Sequence, residues 1–350
     1  MNGRENFLRT MEFRNPQWTG FGSFLGWRVW RKYREDLEDL VLRHPRIFGG
    51  YKKGSRSFDE VPGASFAHEL GGRRLDPWGC IRDTAQAGLG SRPDHELAPL
   101  RDWKLFDTYK PPDPLHTRDE DWDSIERDIE EKKKKDQLTS GNCGNLFDLL
   151  YSLRGFENLM IDIATDDPRL QRLLDMVAEN KTKLIEKWLS LGVDTLDFHT
   201  DIGMQDRLMI NPDKFRQHIK PWFKRMFLPI RETGAHVCLS SDGRLVEIVH
   251  DLVECGVSRH DPQTEANTIE GIEKNYKGNI CINLDFERQR IPFLTPSEIT
   301  EGMKEAVERL NTPEGGLMVF FYAFDERTPL ENIEALCQAG EKYCLANMPG

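Results

Sequence analysis

No run in this chain approaches the eighteen apolar residues that a membrane-spanning helix needs, so none is expected. No Gly-x-Gly-x-x-Gly, P-loop or Gly-x-Ser-x-Gly occurs, so neither a nucleotide cofactor nor a serine nucleophile has support. Cysteine is sparse: seven residues, an odd number, with no Cys-x-x-Cys. That argues against a disulfide framework or a zinc ribbon, and the thiols read as small buried hydrophobes. Positive charge is in deficit, with 48 Lys and Arg against 59 Asp and Glu and a net charge of −11. Such a chain is a poor binder of nucleic acid or of an anionic membrane surface. The opening residues, Met1 to Phe7, are charged and carry no apolar signal core, so a cytoplasmic location is expected. Repeats of fixed period, low-complexity tracts and flexible linkers are also lacking.

What the chain has is rhythm. At 350 residues, 38% of them apolar, it suits one large α/β barrel or two ordinary domains. Residues 3–13 and 28–43 read as helices, the second stopped by His44-Pro45. Residues 48–100 read as irregular strands and loops, Lys110 to Pro114 as a stiff connector, and 119–136 as a charged, solvated helix. Beyond residue 137, strands are expected near 137–142, 194–199, 235–240, 256–260, 279–284 and 316–322. Helices are expected near 145–153, 156–164, 167–191, 212–232, 243–255, 267–276, 296–310 and 329–342. Asn211-Pro212, Thr295-Pro296 and Thr328-Pro329 each set a capping residue before a proline at the first helical position. Gly192-Val193 and Gly256-Val257 each close a helix and open a strand.

Alternation of this kind predicts parallel βα units and a TIM (β/α)8 barrel of the α/β class. Eight strands require two more from the N-terminal third, expected near 18–25 and 76–82. We read residues 1–350 as a single domain. Residues 1–136 hold an N-terminal elaboration and the first strands, and 137–350 hold the regular βα units.

Three strands end in polar clusters: His199-Thr-Asp201, Ser240-Ser-Asp242-Gly243 and His260-Asp261-Pro262. His199 and Asp201 are two apart and point the same way in extended chain, as metal ligands or an acid–base pair must. His236, Cys238 and Ser240 share one strand face, and His-x-Cys has the form of a two-ligand zinc fragment. Asp242 lies just past that strand, either at a barrel mouth or capping the next helix. His260 and Asp285 repeat the theme on later strands. Phe320-Phe-Tyr322-Ala-Phe324 brings aromatics to the same rim, suited to a flat substrate or to core packing.

These residues match a family pattern. The chain resembles the uroporphyrinogen-decarboxylase-like superfamily, and within it the corrinoid-linked methyltransferase branch of the O-demethylase type. Arg4 to Met11 is similar to the opening helix, and Leu153-Arg-Gly-Phe-Glu-Asn-Leu159 to the helix-break-helix element. Asp201-Ile-Gly-Met-Gln205, Ile210-Asn-Pro212, Ser241-Asp-Gly243, Asp261-Pro-Gln263 and Thr328-Pro-Leu-Glu-Asn332 match further segments. The Met-Arg-Gln-Ala-Gly-Arg stretch of the haem-pathway decarboxylase is not found at residues 20–30, which argues against uroporphyrinogen as substrate. Thiol-methylating members use His-x-Cys and a distant Cys. Aligned on the following glycine, those positions fall on Ser240, Asp242 and the neighbourhood of Tyr322, and His236-x-Cys238 sits four residues early.

The resemblance implies a site at the strand C-terminal ends. There a methyl group would pass from a small donor, a methoxylated aromatic, to the cob(I)alamin of a partner corrinoid protein. Asp201, His199, His236 and Asp242 are the expected catalytic residues, and His260, Asp285, Tyr322 and Phe198 the expected donor contacts. A zinc ion, if used, would be held by O and N ligands from His236, Asp201 and Asp242, with His199 and His260 within the same set. Two other readings stand beside this one. One is a decarboxylase or lyase on a small carboxylic acid held by Arg244 or Arg259, and the other is a non-catalytic barrel that binds a corrinoid or its carrier.

Overall fold

Helix boundaries in the computed structural model, which describes residues 1–59, 72–84, 91–116 and 121–349, follow local chemistry. Thr295 caps the helix Pro296–Leu310: its hydroxyl accepts from the Glu298 N–H, and the Glu298 carboxylate accepts from the Thr295 N–H. Asn211 caps Pro212–Lys214, which runs through a π-helical segment, Phe215–Ile219, into Lys220–Glu232. Pro221 has no N–H to give to the preceding turn, and the ladder widens there. All seven cysteines are buried thiols.

Ten strands occur among the described residues. They are β1 (Gly20–Leu25), β2 (Arg73–Leu75), β3 (Ile81–Asp83), β4 (Arg92–Pro93), β5 (Ser140–Asn145), β6 (Thr195–His199), β7 (His236–Ser240), β8 (Val257–His260), β9 (Cys281–Asp285) and β10 (Leu317–Ala323). The chain divides into two compact units. The first holds residues 1–62, 243–249 and 258–350, and the second holds 63–242 and 250–257.

In the first unit β1 runs parallel to β10, β10 to β9, and β9 to β8. Along β10, Val319, Phe321 and Ala323 are buried, whereas Phe320 and Tyr322 keep part of their surface. These alternate because successive strand residues point to opposite faces. Gly22 of β1 stands across from Phe320, and a Cβ on it would lie 2.7 Å from the Phe320 ring. The missing side chain is what lets the aromatic row lie flat on this face.

In the second unit β5, β6 and β7 are parallel neighbours. Leu196 and Phe198 of β6 are fully buried. The Phe198 ring lies 4.8 Å from that of Phe227, which continues through Phe223 to Phe215 on the helical layer. Trp222 donates its indole N–H to the Leu174 carbonyl at 2.8 Å and joins two helices of that layer. β5 is bulged between Asn142 and Gly144, with Gly144 at φ 70° and its N–H bonded to the Asn142 side chain at 2.7 Å. The bulge re-aims the end of β5 and the helix Phe147–Arg154 that follows.

Two expectations are corrected. The strand near 18–25 is present as β1, but residues 76–82 do not add a parallel strand. β3 is the middle of an antiparallel sheet with β2 and β4. The cause is Asp76, whose carboxylate accepts from the N–H groups of Trp78 and Cys80 at 2.9 Å each and bends the chain into a tight turn. Residues 60–71 and 85–90 of the irregular N-terminal stretch lie outside the described residues. The helix expected at 243–255 is shorter, Val249–Glu254, because the N–H groups of Gly243 and Leu245 are taken by the side chains of Gln263 and Asn267.

Gly141 of β5 tests the packing of the second unit. A Cβ there would lie 2.5 Å from the Trp188 ring and 2.7 Å from Leu196. Gly141→Ala is expected to cost about 1–3 kcal/mol, read as a lower urea midpoint with unchanged slope.

Candidate active site

The second unit gathers three carboxylates at the C-terminal ends of β5, β6 and β7. Asp201 follows β6 and Asp242 follows β7, and both are exposed. The Asp201 Oδ1 accepts from the Asp242 N–H at 3.1 Å, so the two loops are joined where the chemistry is expected. His199, the last residue of β6, is exposed and pairs in register with Asn145 and Ser240.

The third carboxylate was not expected from sequence. Asp148 lies in the first turn of the helix Phe147–Arg154 and is 8% exposed. Its Oδ2 accepts from the Asn145 side-chain amide, and its buried Oδ1 has no hydrogen-bond partner among the described residues. Burial, and then the charge of Asp201, push its pKa up to about 7, against a weaker downward pull from Arg82 and Lys181. Near neutral pH this carboxyl therefore holds a proton that an ordinary aspartate has lost. Tyr151, three residues on and on the same helix face, is raised by burial and by the charges of Asp148 and Asp201.

His236 is not brought to this cluster. It opens β7 opposite Thr195, and Ser240 at the other end lies about 13 Å further on at ~3.3 Å per residue. It is buried, and its Nδ1 accepts from the Arg231 guanidinium at 2.7 Å. A ring nitrogen already serving a cation is a poor metal ligand, so the set His236, Asp201 and Asp242 is not assembled as a metal site. Among the described residues no three His, Cys, Asp or Glu side chains group as ligands of one ion. Phe198 likewise faces the helical layer rather than the strand ends.

The first unit holds a different surface. Phe24, Phe320, Tyr322 and Phe324 form a continuous aromatic row, with Tyr322 and Phe324 stacked at 5.3 Å and Phe320 4.7 Å from Tyr322. The Arg288 guanidinium lies over the Tyr322 ring at 4.6 Å and is ion-paired with the buried Asp285. Burial, then the charges of Asp261 and Asp285, raise the Tyr322 hydroxyl to about 12. His260 does not join this surface. It is fully buried against Tyr276, with ring centroids 5.6 Å apart, and burial pushes it down to about 3, so it stays neutral. Arg244 donates to the Ala266 carbonyl at 3.2 Å, and Arg259 lies over Phe7.

Sequence reasoning passed over Asp148, Tyr151 and Arg82. Arg82 sits on β3 and donates through Nε to Asp76 at 3.0 Å, the carboxylate that also forms the 76–80 turn. The one available signal was an Asp and a Tyr three apart in the helix Phe147–Arg154, set among Phe147, Leu149, Leu150 and Leu153.

Parallel βα units with carboxylates at their C-terminal ends define an α/β barrel of the TIM class, of which seven parallel strands are seen among the described residues. The chain belongs to the uroporphyrinogen decarboxylase (URO-D) family, whose profile matches residues 88–343. Among solved structures it is similar to a methyltransferase from Methanosarcina mazei, at 15% identity over 97% of this chain and 98% of that one, with a TM-score of 0.61. A B12-independent methionine synthase from a Shewanella species is similar at 11% identity over 63% of this chain and 67% of that one, with a TM-score of 0.41. No curated protein sequence matches the chain.

The proton on Asp148 has a consequence for stability. Its folded-state pKa lies above the free value, so folded chains bind more protons than unfolded ones between about pH 4 and pH 7. Stability is full below that window and is lost as pH rises through about 7. Asp148→Asn, which keeps the carbonyl for Asn145 and carries no charge, should stabilise the protein by about 1–4 kcal/mol at about pH 8 and change little at about pH 4. Thermal melts at the two pH values check this.

Proposed function

We propose that the chain is a methyltransferase that moves a methyl group from a small methoxylated donor to the corrinoid of a partner protein. The observation that carries this reading is the protonated Asp148 beside Asp201 at the strand ends. An alkyl ether resists demethylation because its leaving oxygen is a strong base. A positioned acid that gives up a proton as the C–O bond breaks removes that obstacle, and its pKa should lie near the working pH. Asp148 has such a pKa, a buried position and a free oxygen. The likeness to a methyltransferase supports the same class.

The corrinoid, when present on its carrier, supplies the electron pair that bonds the methyl carbon. The chain's own residues do the rest. The C–O bond breaks toward oxygen, Asp148 delivers its proton to that oxygen, and Asp201 favours proton return to Asp148 from solvent. Asp242 holds Asp201 through its backbone N–H.

The test mixes purified protein, a reduced corrinoid protein or free cob(I)alamin, and methoxylated aromatics, and follows the Co(I) absorbance. Wild type should consume Co(I) with at least one ether, and Asp148→Asn should slow that reaction by about 10²–10⁴-fold. Absence of methyl transfer from every ether, amine and thiol donor tried would overturn the reading.

A further inference from the structure

Gly155 breaks the chain between the helices Phe147–Arg154 and Phe156–Ala164. Its backbone is left-handed, at φ 83°, and a Cβ there would lie 3.1 Å from the His95 carbonyl oxygen. The segment after His95 is fastened to this break. The Leu100 N–H donates to the Leu153 carbonyl at 2.8 Å, and Arg154 Nη1 donates to the Leu100 carbonyl at 3.0 Å. At this join lies a pocket of about 640 Å³, lined by Glu96, Arg101, Asp102, Trp103, Arg154 and Arg169 among others. Trp103 is 8% exposed, and its buried indole N–H has no hydrogen-bond partner among the described residues. The Arg154 and Arg169 guanidiniums lie over its ring, at 4.4 and 5.5 Å from the centroid. The place a cationic ligand would take on that ring is therefore filled. Indole and guanidinium groups donate hydrogen bonds and cannot accept them, so the ligand they suit is an acceptor. Arg154 and Arg169 are already held by Asp162 and Asp167, at 2.7 and 2.9 Å. Arg101 pairs with Glu96 at 2.8 Å, but these side chains are 55% and 77% exposed. An exposed pair of that kind is worth little and exchanges partners readily.

We propose that this pocket binds the carboxylate of a small organic acid, which accepts from the Trp103 indole N–H and takes the place of Glu96 on the Arg101 guanidinium. A planar carboxylate matches the two-pronged donor geometry of a guanidinium. One negative charge suits the pocket better than two. Its three guanidiniums are set against Glu96, Asp102, Asp162 and Asp167, so a phosphate dianion would meet surplus negative charge. A carboxylate that displaces Glu96 exchanges one single charge for another. The site is separate from the carboxylates at the strand ends. Arg154 closes the helix whose first turn carries Asp148, about 9 Å further along the axis at ~1.5 Å per residue. Binding here does not depend on the methyltransferase reading.

The experiment titrates the intact protein, labelled with ¹⁵N-tryptophan, with acetate, benzoate, acetamide and inorganic phosphate, and follows the indole N–H resonances. The Trp103 signal is identified by its loss in Trp103→Phe. Acetate or benzoate should move that signal in a saturable way, whereas acetamide, a neutral molecule of the same shape as acetate, should bind far more weakly. Arg101→Gln should weaken carboxylate binding by about tenfold. Glu96→Gln, which releases Arg101 from its carboxylate, should tighten it. Melting curves confirm that each variant folds. Arg101 and Glu96 are exposed, so calorimetry on their variants keeps the test open if Trp103→Phe does not fold. A Trp103 signal that no carboxylate moves overturns the proposal, as does equal binding of acetate by wild type and Arg101→Gln. Equal binding of acetamide and acetate, or tighter binding of phosphate than of either carboxylate, overturns it as well.

Discussion

Burial of Asp148, and then the charge of Asp201, push its carboxyl up to about 7, and that is the constraint on which the chemistry proposed for the second unit depends. The carboxyl is placed by the bulge in β5, which lets the following helix begin where its first turn is walled off. Neither cause suffices alone. Burial without Asp201 would leave a weaker bias, and Asp201 without burial would be screened by solvent. Elsewhere in the unit Phe198, Phe227, Phe223 and Phe215 form a continuous buried aromatic layer.

The first unit answers a different physical demand. Its aromatic row is exposed enough to be used and is steadied by an Arg288 that both stacks on Tyr322 and pairs with Asp285. Glycine at position 22 is the enabling residue, because any side chain there would collide with Phe320. The carboxylates thus lie in the second unit and the aromatic row in the first.

Much of the barrel could be read in advance. Proline and capping residues marked helix starts, helix-ending glycines marked strand starts, and every parallel strand expected after residue 137 is present within a few residues. Asp201 and Asp242 could be placed at strand ends because short polar runs follow apolar ones there, and a hydrogen bond joins the two. Phe198 and His260 were misread for one reason. Successive strand residues alternate faces, and the sequence does not say which parity meets the helices. His236 was misread because strand direction puts it at the start of β7, away from the loops. Asp148 was invisible because its neighbour Asp201 arrives from a distant strand end, and Arg82 because the Asp76 turn diverts its segment from the barrel.

That diversion has an evolutionary reading. The small β2–β3–β4 sheet bears Arg82, whose positive charge pulls weakly downward on the pKa of Asp148, and it lies apart from the parallel strands. Insertions, deletions or recombination within it would alter the electrostatic surroundings of the site while leaving the load-carrying barrel untouched. A lineage with this arrangement can explore new small molecules by editing an appendage, a cheaper route than redesigning the scaffold that holds the acid.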